Sequence, residues 1–238
     1  MMMAWAWTAG LGSVLYTFQE STLPGKTIVV ALVLASVGAW SVIVSRGAEL
    51  RRLSRHSRKV VERFRESGSP LLLYVRRTPL PDCPATRLYE SACRAMGAEA
   101  GQTGDQRPSG TERVSRLQFE RVANIVDRNL ADEALKLEQG MTLLASAVSA
   151  SPFLGLLGTV WGVMDAFGAM ARQGTAQLSA VAPGLAGALL TTVVGLLVAL
   201  PSLLAYNILT GRIRAITVML DNFCQELLAE LQRTCVSG

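Results

Sequence analysis

Three runs of this chain constrain it more than anything else in the sequence: Thr27–Val44 (TIVVALVLASVGAWSVIV), Leu143 to about Met170, and Pro183–Thr210. A bilayer core about 30 Å thick needs roughly 20 apolar residues per helical span, and Asp165 is the one charged residue in all three runs. Lipid offers backbone groups no partners, so such runs must close their hydrogen bonds internally, as helices. The chain therefore reads as an all-α integral membrane protein with three transmembrane helices, at 27–45, 143–170 and 183–210. Half of the residues are hydrophobic and 17% charged, a balance that also requires a substantial aqueous part. A cleaved signal peptide would start with basic residues, and none precedes Lys26. Residues 1–26 read instead as an interfacial, periplasmic N-terminus, where tryptophans and glycines suit the headgroup layer.

Charge then sets the orientation. Between Arg46 and Glu66 stand eight basic residues against three acids, whereas the turn between the later spans holds only Arg172. By the positive-inside rule, 46–142 is a cytoplasmic helical region, 171–182 a periplasmic loop and 211–238 a cytoplasmic C-terminal helix. The net charge of +5 is thus a topology signal, and no nucleic-acid module or partner is expected. Cys83, Cys93, Cys224 and Cys235 fall on the reducing side as thiols. Their spacing has no zinc pattern, and His56 has no co-ligands nearby in sequence, so no metal or cofactor is expected.

Outside lipid the reading is helical, with no strand signal. Arg46 to Ser67 continues the first span as a basic helix whose charge is solvated or meets anionic headgroups. Gly68–Pro84 is a proline-rich connector, 85–96 a short helix, and 97–110 (GAEAGQTGDQRPSG) a flexible loop. From Thr111 a helical period runs unbroken toward the second span through Phe119, Val122, Val126, Leu130, Ala134, Leu137, Met141 and Leu144. Ser109 and Glu112 have the spacing of a capping box at its start. After the third span, Ile213, Ile216, Leu220, Phe223, Leu227 and Leu231 form a stripe that requires a helical partner. The second and third spans are therefore expected to extend as long helices into the cytoplasm.

Two stretches inside lipid are unusual: SPFLGLLGTVWGVMDAF (151–167) and VAPGLAGALLTTVVGLLVALPSLLAYN (181–207). Gly155, Gly158, Thr159, Gly162 and Ala166 share one face of the second span. Gly184, Ala188, Thr191, Thr192, Gly195, Ala199 and Ser202 share one face of the third, and Gly187 stands beside them. Small residues let helices approach closely where hydrophobic burial contributes nothing, so Gly155, Gly158, Gly162, Gly184, Gly187 and Gly195 are read as packing positions. A single threonine would only return a hydrogen bond to its own helix. Thr159 and Thr192, however, fall about 22 and 27 Å from a turn centred near Gly174, within one helical turn of the same depth. That sets a polar band across the pair, the candidate proton pathway, with Asp165 and Thr191 as secondary candidates. A threonine hydroxyl does not titrate near neutral pH, so the chain has a polar path and no proton carrier at mid-depth. Pro201 is expected to kink the third span, and Pro152 and Pro183 to shape the approaches to their helices.

The two stretches, with AWSVIVSR after the first span, resemble the TolQ/ExbB proton-channel subunits of the MotA/TolQ/ExbB family, most specifically over 143–228. The resemblance implies a pore-forming subunit of an inner-membrane motor driven by the proton motive force, working on the periplasm or outer membrane. It implies a pentamer around the single-span helices of a TolR/ExbD-like dimer whose aspartate carries the proton, and it places the family's two pore threonines at Thr159 and Thr192. One departure stands out: where the family often has a glutamate in the third span, this chain has Gly187, and Asp165 is the available substitute. A non-conducting scaffold and a flagellar-stator-like subunit are the competing readings, the latter opposed by the count of three spans. An enzyme is not expected, because no nucleophile, base and orienting group converge.

Overall fold

The structure is a computed structural model and describes residues 23–68, 70–76, 79–99, 114–173 and 178–235. Residues 1–22 of the interfacial N-terminus expected over 1–26, most of the 97–110 loop with Ser109, Glu112, and the middle of the 171–182 loop lie outside the described residues. Among the described residues there are six helices: α1 Leu23–Glu66, α2 Leu72–Val75, α3 Pro84–Glu99, α4 Arg116–Glu138, α5 Met141–Gln173 and α6 Leu178–Cys235. The fold is all-α, and α1, α5 and α6 are long and apolar enough to cross a membrane. The chain divides into two compact units, one of residues up to Ser45 with Gly140–Ile208, the other of Arg46–Gln139 with Leu209 onward.

In the apolar unit most large side chains point outward. Leu34, Val37, Phe153, Val160, Met164, Leu189, Leu197 and Leu204 are each more than half exposed, as helix faces turned to lipid or to other helices must be. Many of the buried positions are small, Ala39, Ala147, Ala166, Ala188 and Ala199 with Ser151, Thr191 and Ser202, beside a few larger ones such as Leu32 and Leu144. Pro152 and Pro183, expected at the approaches to their helices, are interior to α5 and α6. Those helices begin earlier, at Met141 and Leu178, because the apolar sequence on both sides of each proline favours helix. Beside two of the prolines a serine turns back on its own helix, Ser151 Oγ donating to Ala147 O at 2.6 Å and Ser202 Oγ to Val198 O at 2.7 Å. Pro201 is likewise interior to α6.

The charged unit has an ordinary apolar core. The stripe on α6, Ile213 to Leu231, is buried throughout, with Leu220, Leu227 and Leu231 at 0% exposure. Phe64 of α1 stacks edge-on against Phe223 of α6 at 5.4 Å and Tyr89 of α3 at 6.1 Å between centroids. Tyr89 is buried with its hydroxyl satisfied: it donates to Pro70 O at 2.7 Å and accepts from Tyr74 N–H at 3.1 Å, which pins the short α2 segment. Burial pushes the Tyr89 phenol far up from its usual range. Cys83, Cys93, Cys224 and Cys235 are all buried and in no disulfide. Burial pushes the Cys224 thiol up to about 12 and Cys235 upward too, which keeps both protonated and unreactive.

Two details differ from expectation. The helical run toward the second span is interrupted: α4 ends at Glu138, and Gly140, at φ 80°, turns the chain before α5 starts. A non-glycine residue resists that left-handed conformation, so the glycine is what permits the break. The capping box is present, but at Ser115 and Gln118: Ser115 Oγ accepts from Gln118 N–H, and Gln118 Oε1 accepts from Ser115 N–H at 2.8 Å.

Candidate functional site

The apolar unit brings the small faces of α5 and α6 together in an antiparallel seam. A Cβ added at Gly195 would stand 2.5 Å from Ser151 O and 3.1 Å from Gly155 Cα. One at Gly155 would lie 2.9 Å from Thr191 O, and one at Gly162 2.6 Å from Ala188 Cβ. At Gly158 it would strike the Thr191 side chain, whose Cβ is 2.7 Å away. The two backbones therefore meet at a separation that only hydrogen side chains allow, the close approach that drives association in lipid. Gly184 is different, since a Cβ there would make an ordinary 3.4 Å contact with Ala166. Gly187 is buried.

Close approach has a chemical result. It carries the Gly155 carbonyl of α5 to the threonine pair of α6, and three hydroxyls converge on that one oxygen. Thr159 Oγ1 lies 3.0 Å from Gly155 O, Thr191 Oγ1 3.0 Å and Thr192 Oγ1 3.1 Å. Thr191 has a shorter acceptor, Ala188 O at 2.7 Å on its own helix. Thr159 Oγ1 and Thr192 Oγ1 are hydrogen-bonded directly to each other across the seam. A hydroxyl has one proton to donate and two lone pairs to accept with. Within the pair, only one threonine can donate to Gly155 O while the other donates to it. Two arrangements of opposite sense follow, with the same heavy atoms in the same places.

Burial separates the three. Thr191 is 1% exposed and fills the space under Gly158, so it clamps the seam, whereas Thr159 and Thr192 are half-buried and present one edge outward. Asp165 is half-buried and has no ion pair or hydrogen bond with a described residue. It is not part of the threonine cluster. Sequence spacing identified Thr159 and Thr192 as a matched pair, and the structure joins them. It did not identify the Gly155 carbonyl, although the facing glycines at 155 and 195 were the available sign that a backbone oxygen would be reached.

The charged unit holds a second polar cluster that sequence reading missed. Glu133, 4% exposed, takes both Nε and Nη2 of Arg87 at 2.7–3.1 Å and Lys136 Nζ at 2.8 Å. Arg87 also donates to Asp82 at 2.6 Å. Burial alone would raise the Glu133 carboxyl, but the hydrogen bonds from Arg87 and Lys136 outweigh it and hold it below the usual carboxylate range. The signal was there: position 133 continues the buried stripe of Val122, Val126 and Leu137, where an acid needs a partner.

Residues 96–222 match the profile of the MotA/TolQ/ExbB proton channel family. The chain is 34% identical over 226 residues to the Tol-Pal system protein TolQ of Pseudomonas aeruginosa, covering 92% of this chain and 94% of that protein. It is 30% identical over 228 residues to the Tol-Pal system protein TolQ of Haemophilus influenzae, covering 91% and 92%. It is also 30% identical over 205 residues to the biopolymer transport protein ExbB of Neisseria meningitidis, covering 86% and 90%.

Proposed function

Because the chain belongs to the MotA/TolQ/ExbB proton channel family, we propose that it is the pore-forming subunit of a motor that couples proton flow to mechanical work. The observation that carries this reading is the hydroxyl pair of Thr159 and Thr192, closed over the Gly155 carbonyl within a glycine-rich seam. Elsewhere in the unit hydroxyls turn back on their own helix, as at Ser151 and Ser202, whereas Thr159 and Thr192 bond to each other across the seam. The pair's two hydrogen-bonding senses let it accept from one side and donate to the other, then reset by rotating two hydroxyls. It does not store a proton.

A titrating carboxylate must therefore come to the exposed edge of the pair. A TolR/ExbD-type single-span partner, present as a dimer within a pentamer of this chain, would supply it. The inner membrane is the proposed site, with the N-terminus periplasmic and 46–142 and 211–238 cytoplasmic, following the basic residues after α1's apolar run. In this reading Gly187 leaves the third span without an acid, and Asp165, lacking a described partner, is the residue able to accept a proton where the path leaves the seam. The work done is of the kind named for the relatives, in the Tol-Pal system or biopolymer transport.

The test is proton flux into liposomes containing this protein alone or with its co-expressed single-span partner. Thr192→Val keeps the side-chain shape and removes the hydroxyl. Flux that requires the partner and falls at least about tenfold in Thr192→Val, roughly 1.4 kcal/mol on the barrier, is the expected result. Equal flux in variant and wild type would show that the seam serves packing alone, which is the scaffold reading.

A further inference from the structure

Outside the seam, the charged unit contains a groove of about 580 Å³ between the first half of its α1 segment and the start of its α6 segment. Arg51, Arg55, Arg58 and Lys59 line one side and Arg212 the other, with Glu62 as the single acid. Ile216 and Met219 add an apolar wall. Some cations of this unit find carboxylates, Arg46 with Glu49, Arg65 with Glu226, Arg87 and Lys136 with Glu133, and Arg233 with Glu230. Among the described residues, none of the five groove cations has an ion pair. Positions 51, 55 and 58 recur at four and three residues, so like charges stack on one helix face, an arrangement that destabilises a helix. The fold gathers that repulsion on concave ground, with Arg51, Arg55, Arg58 and Lys59 exposed and so accessible to a ligand.

From this we infer that the groove is a binding site for an anion carrying two or more phosphate groups. Its volume lies in the range of ligand sites and exceeds what a single phosphate fills. Arginine forks match phosphate oxygens in pairs, and one bound polyanion would turn the mutual repulsion of Arg51, Arg55 and Arg58 into attraction. Along the chain, Arg51 and Arg212 follow within two helical turns of the apolar runs of α1 and α6. A lipid headgroup of the adjoining leaflet and a soluble diphosphate are therefore two sources of the same chemistry. The site is independent of the threonine pair and stands whether or not the seam conducts.

The chain has three lysines, Lys26, Lys59 and Lys136, which makes labelling decisive. Full-length protein is treated with an amine acylating reagent, and modification of Lys59 is followed by mass spectrometry. Lys136, held by Glu133, is the internal control. One arm adds pyrophosphate to protein in uncharged detergent, with ionic strength matched by chloride. The other uses phosphatidylcholine vesicles with and without a fifth of a bis-phosphate lipid. Slowing of Lys59 by about fivefold or more in either arm, with Lys136 unchanged, is expected, and the arm in which it occurs identifies the source. Arg55→Gln/Arg58→Gln should abolish the protection, read as the ratio of liganded to unliganded rate within each protein, while leaving the circular dichroism unchanged. Absence of protection in both arms, equal slowing of the two lysines, or protection that persists in the double variant would overturn the proposal.

Discussion

The same two helices, α1 and α6, take part in both units, yet each unit is held together in a different way. In the apolar unit the seam is made of what is missing, glycines that bring two backbones to within contact, with three threonines filling the remaining space. In the charged unit the core is made of what is present: Phe64, Tyr89, Phe223 and a run of leucines, with Glu133 as a buried acid held by the more exposed Arg87. The solvent explains the contrast. Water rewards burial of large apolar side chains at roughly 25 cal/mol per Å², whereas lipid is as apolar as leucine and rewards only contact and hydrogen bonding. α6 changes its buried residues accordingly, from Ala188, Thr191 and Ser202 to Leu220, Phe223 and Leu227.

The contrast can be broken most severely at Gly195. One methyl there meets Ser151 O and the Gly155 backbone, neither of which is a movable side-chain end. Gly195→Ala should part α5 from α6, with loss of monodisperse protein on size exclusion. Phe223→Ala should cost about 3–5 kcal/mol in denaturant unfolding, because two edge-on aromatic contacts and a fully buried ring are lost. Glu133→Gln should cost about 2 kcal/mol, below the range for a fully buried pair because the Arg87 side chain is 41% exposed. Here the sign can be checked by pH. The Glu133 carboxyl is held below its ordinary value, so its contribution is complete above about pH 4.5 and disappears as pH falls through the lowered value. The stability gap between wild type and Glu133→Gln should be constant from pH 7 to 5 and shrink below that. A gap that grew in acid would show that the carboxyl is not stabilised as an anion. Smallest of all is Gly184→Ala, expected within about 0.5 kcal/mol of wild type, since its added Cβ makes only an ordinary contact with Ala166. A large effect there would mean that the seam is tighter at that end than its geometry indicates.

Much of this was legible in the sequence, for physical reasons. Hydropathy identifies spans because lipid imposes length and composition together, and the spacing of small residues identifies the faces that meet. The paired depth of Thr159 and Thr192 followed from the helical rise alone. What escaped was information carried by backbone atoms. The Gly155 carbonyl has no letter in a sequence, and Thr191, adjacent to Thr192, was indistinguishable from it until burial separated clamp from edge. The break before α5 had its sign, a glycine directly after a run of helix formers, but the continuing period of Leu137, Met141 and Leu144 masked it. At the start of α4, the capping partner Gln118 of Ser115 also reaches Glu99 O at 2.8 Å, a tertiary contact that local spacing does not reveal.

One backbone bond has a bearing on how the protein is made. Val114 N–H donates to Cys235 O at 2.9 Å, joining the residues just before α4 to the last turn of α6. Everything between them, including both helices of the seam, forms one closed circuit of chain. A ribosome therefore delivers Phe64, Tyr89 and Val122 long before Phe223 and Leu231 exist to cover them. Until the last turns of α6 have been made, the core of this unit lacks Leu220, Phe223, Leu227 and Leu231. The end of the chain thus closes a core that its first half began, so completion of this unit waits on the last residues made.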